Sequence, residues 1–214
     1  MVALYLAGRF SGEDIYQKAV SALSQKSGTK YYLVTLQGVD YREDALVKCT
    51  TLRLSGNAGY LYTQNNAYFV ALATYSSKDL ADEVIAKNED LVLIELSFNL
   101  SAMLKSSRDD AITKECIESY QSTILNLENL INDYAKKELT LVETLHSLES
   151  EHSALLNLKG KIIEQNPENK DDLIALLDVP IGGLNAIIGA SSHHTLLGEL
   201  RYVMTSAVVA LTAT

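Results

Sequence analysis

Two stretches of this chain, residues 32–45 (YLVTLQGVDYREDA) and 68–81 (YFVALATYSSKDLA), read as copies of one another. At a constant displacement of 36 residues, Tyr32 matches Tyr68, Val34 matches Val70, Leu36 matches Leu72, Arg42 matches Lys78, Glu43 matches Asp79 and Ala45 matches Ala81. Each copy reads as a strand running into a helix. The period is too long for a hairpin and suits one strand–helix–strand unit, so a duplicated β-α-β half-domain is expected.

The residues around the copies complete that unit. Residues 31–37 are rich in β-branched and aromatic side chains, and Asp40 with Glu43 marks a helix start. Ala45, Leu46, Cys49 and Leu52 then supply a buried stripe before Ser55-Gly-Asn-Ala-Gly59 breaks the helix. Residues 59–63 and 67–75 are strands joined by a turn at Gln64-Asn65-Asn66, which makes a hairpin. Ser76 with Asp79 caps a second helix over 79–87, whose Leu80, Ala81, Val84 and Ile85 face inward, and 91–98 (LVLIELSF) is the fourth strand. The order β-α-β-β-α-β predicts a four-stranded antiparallel sheet with both helices on one face, the ferredoxin-like arrangement.

The two units, YLVTLQGVDYREDA and YFVALATYSSKDLA, resemble the halves of a SPOR (sporulation-related repeat) domain. The shared pattern is an apolar or aromatic strand, a small-residue corner with an aromatic, and a helix start of the Ser/Asn-Lys-Glu-x-Ala kind. The resemblance covers residues 30–98. The first copy departs from it with Thr35, Gln37, Gly38 and Val39 where the family usually has Gln, Gly, Ser and Phe, and the second has Ala73 and Thr74 where glycine and proline are common. The fold class is therefore expected to be α+β, with a ferredoxin-like SPOR-type domain over 30–98, an N-terminal helix and linker over 1–29, and an all-α domain over 99–214.

Beyond Phe98 the pattern is helical. Ser107 with Asp110 opens a run in which Ile117, Tyr120, Ile124, Leu127, Ile131 and Tyr134 recur at steps of three and four, continued by Leu141, Leu145, Leu148 and Leu155. Two arrangements fit. One is a single long coiled-coil helix; the other, favoured by the extra width that Leu125, Leu130, Leu139 and Leu156 give the stripe, is a hairpin turning near Lys137 with a Thr140–Glu143 capping box. Pro167 stops the run, a short helix over 171–177 is expected to end before Pro180, Gly182-Gly183 reads as a turn, and 184–188 as one more helical turn. Leu197, Leu200, Met204, Ala207, Val208 and Leu211 then share one face of a terminal bundle helix, whose apolar part is shorter than a bilayer requires. Residues 1–8 are apolar but about a third of that length. They read as the stub of an anchor or as a packed terminus.

Charge and chemistry narrow the function. A net charge of −9 and a pI near 4.9 oppose nucleic acid or an anionic membrane surface as partner. The two cysteines, Cys49 and Cys116, are far apart and define neither a disulfide framework nor a metal site. His146, Glu149 and His152 lie three residues apart on one helix, a spacing that brings imidazole and carboxylate together without a further ligand, so an exposed helix face is the plainer reading. The pair His193-His194 suits a helix cap or a loop. With no nucleophile–base grouping and no phosphate loop, a non-enzymatic protein without a cofactor is expected.

The SPOR resemblance implies binding of peptidoglycan glycan strands stripped of their stem peptides, through the sheet face away from the two helices. If Val34, Leu36, Val70 and Leu72 face the helices, then Leu33, Thr35, Gln37, Phe69, Ala71 and Ala73 line that face. Thr35, Gln37, Gln64 and Phe69 carry the amide, hydroxyl and aromatic groups a sugar needs and are the expected contacts. The resemblance also implies a link to sporulation or cell division, and a place on the extracytoplasmic face of the membrane or in the wall, held by a segment outside this chain. Yet Leu91-Val92-Leu93-Ile94 is apolar at consecutive positions, which marks a strand covered on both sides. The helical region, including Ala102 and Met103, is the available cover. The competing expectation is thus a scaffold whose sheet no longer binds glycan, with a cell-envelope protein as partner and self-association through the helical region.

Overall fold

The computed structural model describes residues 29–98 and 110–213. The helix expected within the N-terminal segment, and the cover expected from Ala102 and Met103, lie outside the described residues. The elements are β1 (Thr29–Leu36), α1 (Arg42–Leu54), β2 (Tyr60–Gln64), β3 (Ala67–Tyr75), α2 (Lys78–Ile85), β4 (Leu91–Phe98), α3 (Asp110–Ala135), α4 (Leu141–Gln165), α5 (Lys170–Ile188) and α6 (Leu196–Ala213). The protein is α+β: a four-stranded sheet in the order β2-β3-β1-β4, every neighbour antiparallel, followed by helices.

Strand alternation sends two sets of side chains to opposite faces. On one face Val34, Leu72, Leu91 and Leu93 pack with Ala81, Val84 and Ile85 of α2, while Val70 and Leu61 pack with Ala45, Cys49 and Leu52 of α1. Leu46 and Leu80, expected to point inward, are 39% and 43% exposed. Both helices lie flat on the sheet and bury a narrow stripe centred on Ala45 and Ala81, which leaves the next position outside. Neither helix has a side-chain N-cap: Tyr41 and Ser77 occupy those positions without a capping bond.

The other face is covered by the helical part. Tyr31, Leu33, Ala71, Ile94, Leu96 and Phe98 join Ile117, Tyr120 and Ile124 of α3 and Leu200, Met204, Ala207 and Val208 of α6 in one continuous core. The run at the start of β4 is explained by this double cover, because Leu91 and Leu93 serve the α2 side whereas Ile94 serves the bundle. Each large apolar side chain so buried contributes about 1.5–3 kcal/mol.

A register shift re-aims one strand. Val34 pairs with Ala73 but Thr35 pairs with Ala71, so Leu72 is an extra residue on β3, and its carbonyl accepts from the Ala58 N–H at 2.7 Å. Simple alternation places Ala73 on the bundle face opposite Leu33; after the bulge Thr74 takes that position, and the Thr74 and Thr205 hydroxyls are hydrogen-bonded at 2.9 Å.

Two charges from the bundle end-cap helices of the sheet layer. The Glu128 carboxylate of α3 accepts from the Ser76 N–H at 3.0 Å and the Ser76 hydroxyl at 2.5 Å, just before α2. Arg201 of α6 donates to the Gly56 carbonyl at 2.7 Å, just past α1. The signs match the helix dipoles, negative at an N-terminus and positive at a C-terminus. Burial pushes the Arg201 guanidinium below its ordinary pKa. Ser76, expected to cap α2 with its own side chain, instead spends its hydroxyl on Glu128.

The helical part forms a hairpin and not a single rod. Lys137, at φ +62°, turns the chain between α3 and α4, and Thr140 with Glu143 forms the expected capping box: Thr140 Oγ1 accepts from the Glu143 N–H at 3.3 Å and Glu143 Oε2 accepts from the Thr140 N–H at 2.9 Å. The expected break at Pro180 does not occur, because α5 runs through it to Ile188 with Leu177, Pro180, Ile181 and Leu184 all buried. Gly183 is a packing site and not a turn: a Cβ there would lie 2.6 Å from Val203 of α6. At 18 residues α6 has the length and apolar character of a membrane span, more than the sequence reading allowed it. Leu200, Ala207, Val208 and Leu211 are nevertheless fully buried against the sheet and its neighbouring helices, as in a core helix.

Candidate functional site

The bundle covers the sheet face unevenly. Moving along it from the buried row of Leu33 and Thr74, the next row holds Ala71, fully buried, paired with Tyr60 of the edge strand. Tyr60 meets Tyr202 of α6 with ring centroids 5.5 Å apart, and the Arg53 guanidinium lies 3.7 Å from the centre of the Tyr202 ring. Burial raises the Tyr60 pKa. This aromatic and cationic contact is the boundary of the cover, and beyond it the face opens.

The hairpin turn determines which residues stand there. Asn65 and Asn66 have φ of 50° and 62°, the pair of positive values a two-residue type I′ turn needs, and asparagine tolerates both. That turn sets Gln64 opposite Ala67 and Tyr62 opposite Phe69. Tyr60, Tyr62 and Gln64 therefore share the bundle side of β2 by alternation, and Phe69 shares it on β3. Just past the end of β1, Gln37 lies at the same end of the sheet, its N–H anchored on the Asp90 carbonyl at 3.2 Å. Next to it the Gly38 backbone lies so close to the Phe69 ring that an added Cβ would sit 3.1 Å from it.

Three of the four expected contacts thus converge at one end of the sheet. Gln37 and Gln64 are exposed and Phe69 is half-buried at the edge of the core. Thr35 does not join them: it is fully buried, and its hydroxyl donates to the Val92 carbonyl at 3.4 Å. Nor do Leu33, Ala71 and Ala73 offer an open face, since each is less than a tenth exposed. Tyr62, which sequence reasoning did not single out, stands at the same end, opposite Phe69. Its signal was present in the alternation Tyr60, Tyr62, Gln64, but with Gln64 assigned to the turn and not the strand, the facing of that series was not legible.

The open end offers an aromatic pair, Tyr62 with Phe69, flanked by two primary amides. Rings present apolar faces, and amides offer both donors and acceptors, so the set can stack on and hydrogen-bond a neutral polar ring. His146 and Glu149 stand apart on α4, 83% and 59% exposed, as a surface pair 3.8 Å apart. His193 and His194 lie in the loop before α6, as expected.

No family model matches the chain, and no curated protein or solved structure matches it.

Proposed function

We propose that the chain is a non-enzymatic protein-interaction scaffold in which a ferredoxin-like, SPOR-type sheet is covered by its own helices. The succession of elements and the strand order β2-β3-β1-β4 suit the split β-α-β arrangement. The observation that carries the scaffold reading is the burial of Leu33, Thr35 and Ala71 beneath α3 and α6, on the face where the resemblance puts glycan. A glycan strand lying along the middle of that face would have to lift the α6 side chains Leu200, Ala207 and Val208 out of the core. On the resemblance, the partner is a cell-envelope protein and the setting is the extracytoplasmic face of the membrane or the wall.

A second reading rests on the open end of the sheet. Gln37, Tyr62, Gln64 and Phe69 together form a shortened sugar-binding strip that holds the end of a glycan and not its length.

Retention on purified peptidoglycan sacculi, with and without amidase treatment, separates the two. The scaffold reading expects equally low retention on both. Enrichment on denuded glycan that disappears in a Tyr62→Ala/Phe69→Ala variant would replace it with the second reading, and enrichment that survives those substitutions would overturn both.

A further inference from the structure

β4 stands at one edge of the sheet: β1 lies on one side of it, and among the described residues no strand lies on the other. The hydrogen-bond phase fixes which of its main-chain groups point outward. The Gln37 N–H, one step past the Leu36–Leu91 pair, donates to the Asp90 carbonyl. Bonded pairs recur at every second residue of an antiparallel ladder, so Val92, Ile94, Leu96 and Phe98 bond to β1, whereas Leu91, Leu93, Glu95 and Ser97 turn their main-chain groups away from it. The Leu91 N–H is spent locally, on the Asn88 carbonyl at 3.2 Å. The N–H groups of Leu93, Glu95 and Ser97 and the carbonyls of all four face outward. Protected edge strands are short, charged, bulged or broken by proline. β4 has 8 residues in unbroken register with β1, no proline, and one charge, Glu95, engaged by Lys30 at 2.7 Å.

We propose that the occupant of this edge is β4 of a second copy of the chain, paired antiparallel about a two-fold axis at Ile94. In that register Leu93 stands opposite the partner's Glu95 and Leu91 opposite the partner's Ser97. Each free outward N–H then meets an outward carbonyl. On the bundle face Ile94 meets the partner's Ile94 and Val92 meets the partner's Leu96, which carries the apolar layer across the seam. Centring the pair on Glu95 would set like charge against like charge, and centring it on Leu93 would send Ser97 past the end of the strand. The strand is thus its own complement in bond phase, apolar facing and charge, and this singles out a second copy as the occupant. The product is a continuous sheet, β2-β3-β1-β4-β4-β1-β3-β2, with both bundles on one face and the two open ends far from the seam. Self-association then runs through the sheet edge and not through the helical region, and it presents every other surface of the chain in duplicate. It holds for either reading of the sheet face, because it uses the edge and leaves both faces as they are.

The test combines sedimentation of the full chain, from micromolar to millimolar concentration, with amide hydrogen exchange followed by NMR at both extremes. A dimer is expected to grow with concentration, and the Leu93, Glu95 and Ser97 amides to slow in step with it. The Ile94 and Leu96 amides, bonded to β1 in the monomer, are expected to stay slow throughout. Glu95→Pro removes an outward N–H without touching the β1 ladder, and is expected to weaken the dimer by about tenfold. Glu95→Ala loses the same Lys30 ion pair but keeps the N–H, and is expected to leave the dimer in place. A chain that stays monomeric at every concentration would overturn the proposal, as would a dimer in which the three outward amides exchange freely. Protection of those amides already in the dilute monomer would assign the edge to cover by the chain itself and likewise overturn it. A folded Glu95→Pro variant that dimerises as well as Glu95→Ala would do the same; if the proline variant does not fold, the exchange measurement decides alone.

Discussion

Glu128 of α3 holds Ser76 of the sheet layer by two bonds at once, its carboxylate accepting from the main-chain N–H at 3.0 Å and from the hydroxyl at 2.5 Å. With Glu128 only 7% exposed, its removal leaves the Ser76 N–H short of an acceptor at the head of α2. Glu128→Ala is expected to destabilise the protein by about 2 kcal/mol and Ser76→Ala by less. In a double-mutant cycle read by chemical denaturation, the two are expected to add to less than their sum.

The continuous core makes the sheet layer dependent on the bundle. A chain limited to residues 29–98 would expose Tyr31, Leu33, Ala71, Ile94, Leu96 and Phe98 on one face, all of them less than a tenth exposed in the full chain. That fragment is expected to lack a cooperative thermal transition and native amide dispersion. A well-dispersed, cooperatively melting fragment would show that the two parts fold independently.

Gly182 and Gly183 differ in what surrounds them, and their alanine variants are expected to move stability in opposite directions. At Gly183 the new Cβ meets Val203 at 2.6 Å, and overpacking of this kind costs about 1–3 kcal/mol. Val203→Ala in the same chain is expected to recover part of that loss. At Gly182 nothing lies within 4 Å, so Gly182→Ala in the body of α5 is expected to stabilise by about 0.5–1 kcal/mol. Melting curves of the three variants measure both effects.

The capping box at Thr140 gives the α4 terminus a pH dependence of known sign. Bonds from the Thr140 N–H and hydroxyl hold the Glu143 carboxyl below its usual pKa. A carboxylate depressed by folding stabilises the native state above its unfolded value, about 4.3, and that stabilisation is lost as pH falls through the lower folded value. Thr140→Ala is expected to cost about 1 kcal/mol at neutral pH. The gap from the parent protein is expected to narrow as pH is lowered through and below the ordinary glutamate range, measured by denaturation across pH.

What was legible in the sequence was what depends on local order. The matched pairs from Tyr32 with Tyr68 to Ala45 with Ala81 foretold two strand–helix units, and Thr140 with Glu143 foretold the hairpin cap, because a short repeat and a three-residue spacing report their own geometry. The apolar run at the start of β4 foretold a doubly covered strand. What failed depends on distant contact. Pro180 and Gly182-Gly183 read as breakers because their effect was judged without Val203 and the buried face of α5, whose packing overrides propensity. Thr35 was a candidate contact because parity places it on the correct face, but parity carries no information on what lies over that face. Gln37, Gln64 and Phe69 met at one end only once the Asn65-Asn66 turn had set the register.

The bulge at Leu72 breaks the correspondence between the two matched stretches. Under the 36-residue displacement, Gln37 and Gly38 of the first copy correspond to Ala73 and Thr74 of the second, and because β1 and β3 are antiparallel these equivalent corners lie at opposite ends of the sheet. In the second copy the strand bulges, continues and delivers Thr74 to Thr205; in the first it stops at Leu36 and leaves Gln37 outside. One extra residue on a strand thus decides which of two matching corners is sealed in the chain's own interior and which stays in contact with solvent.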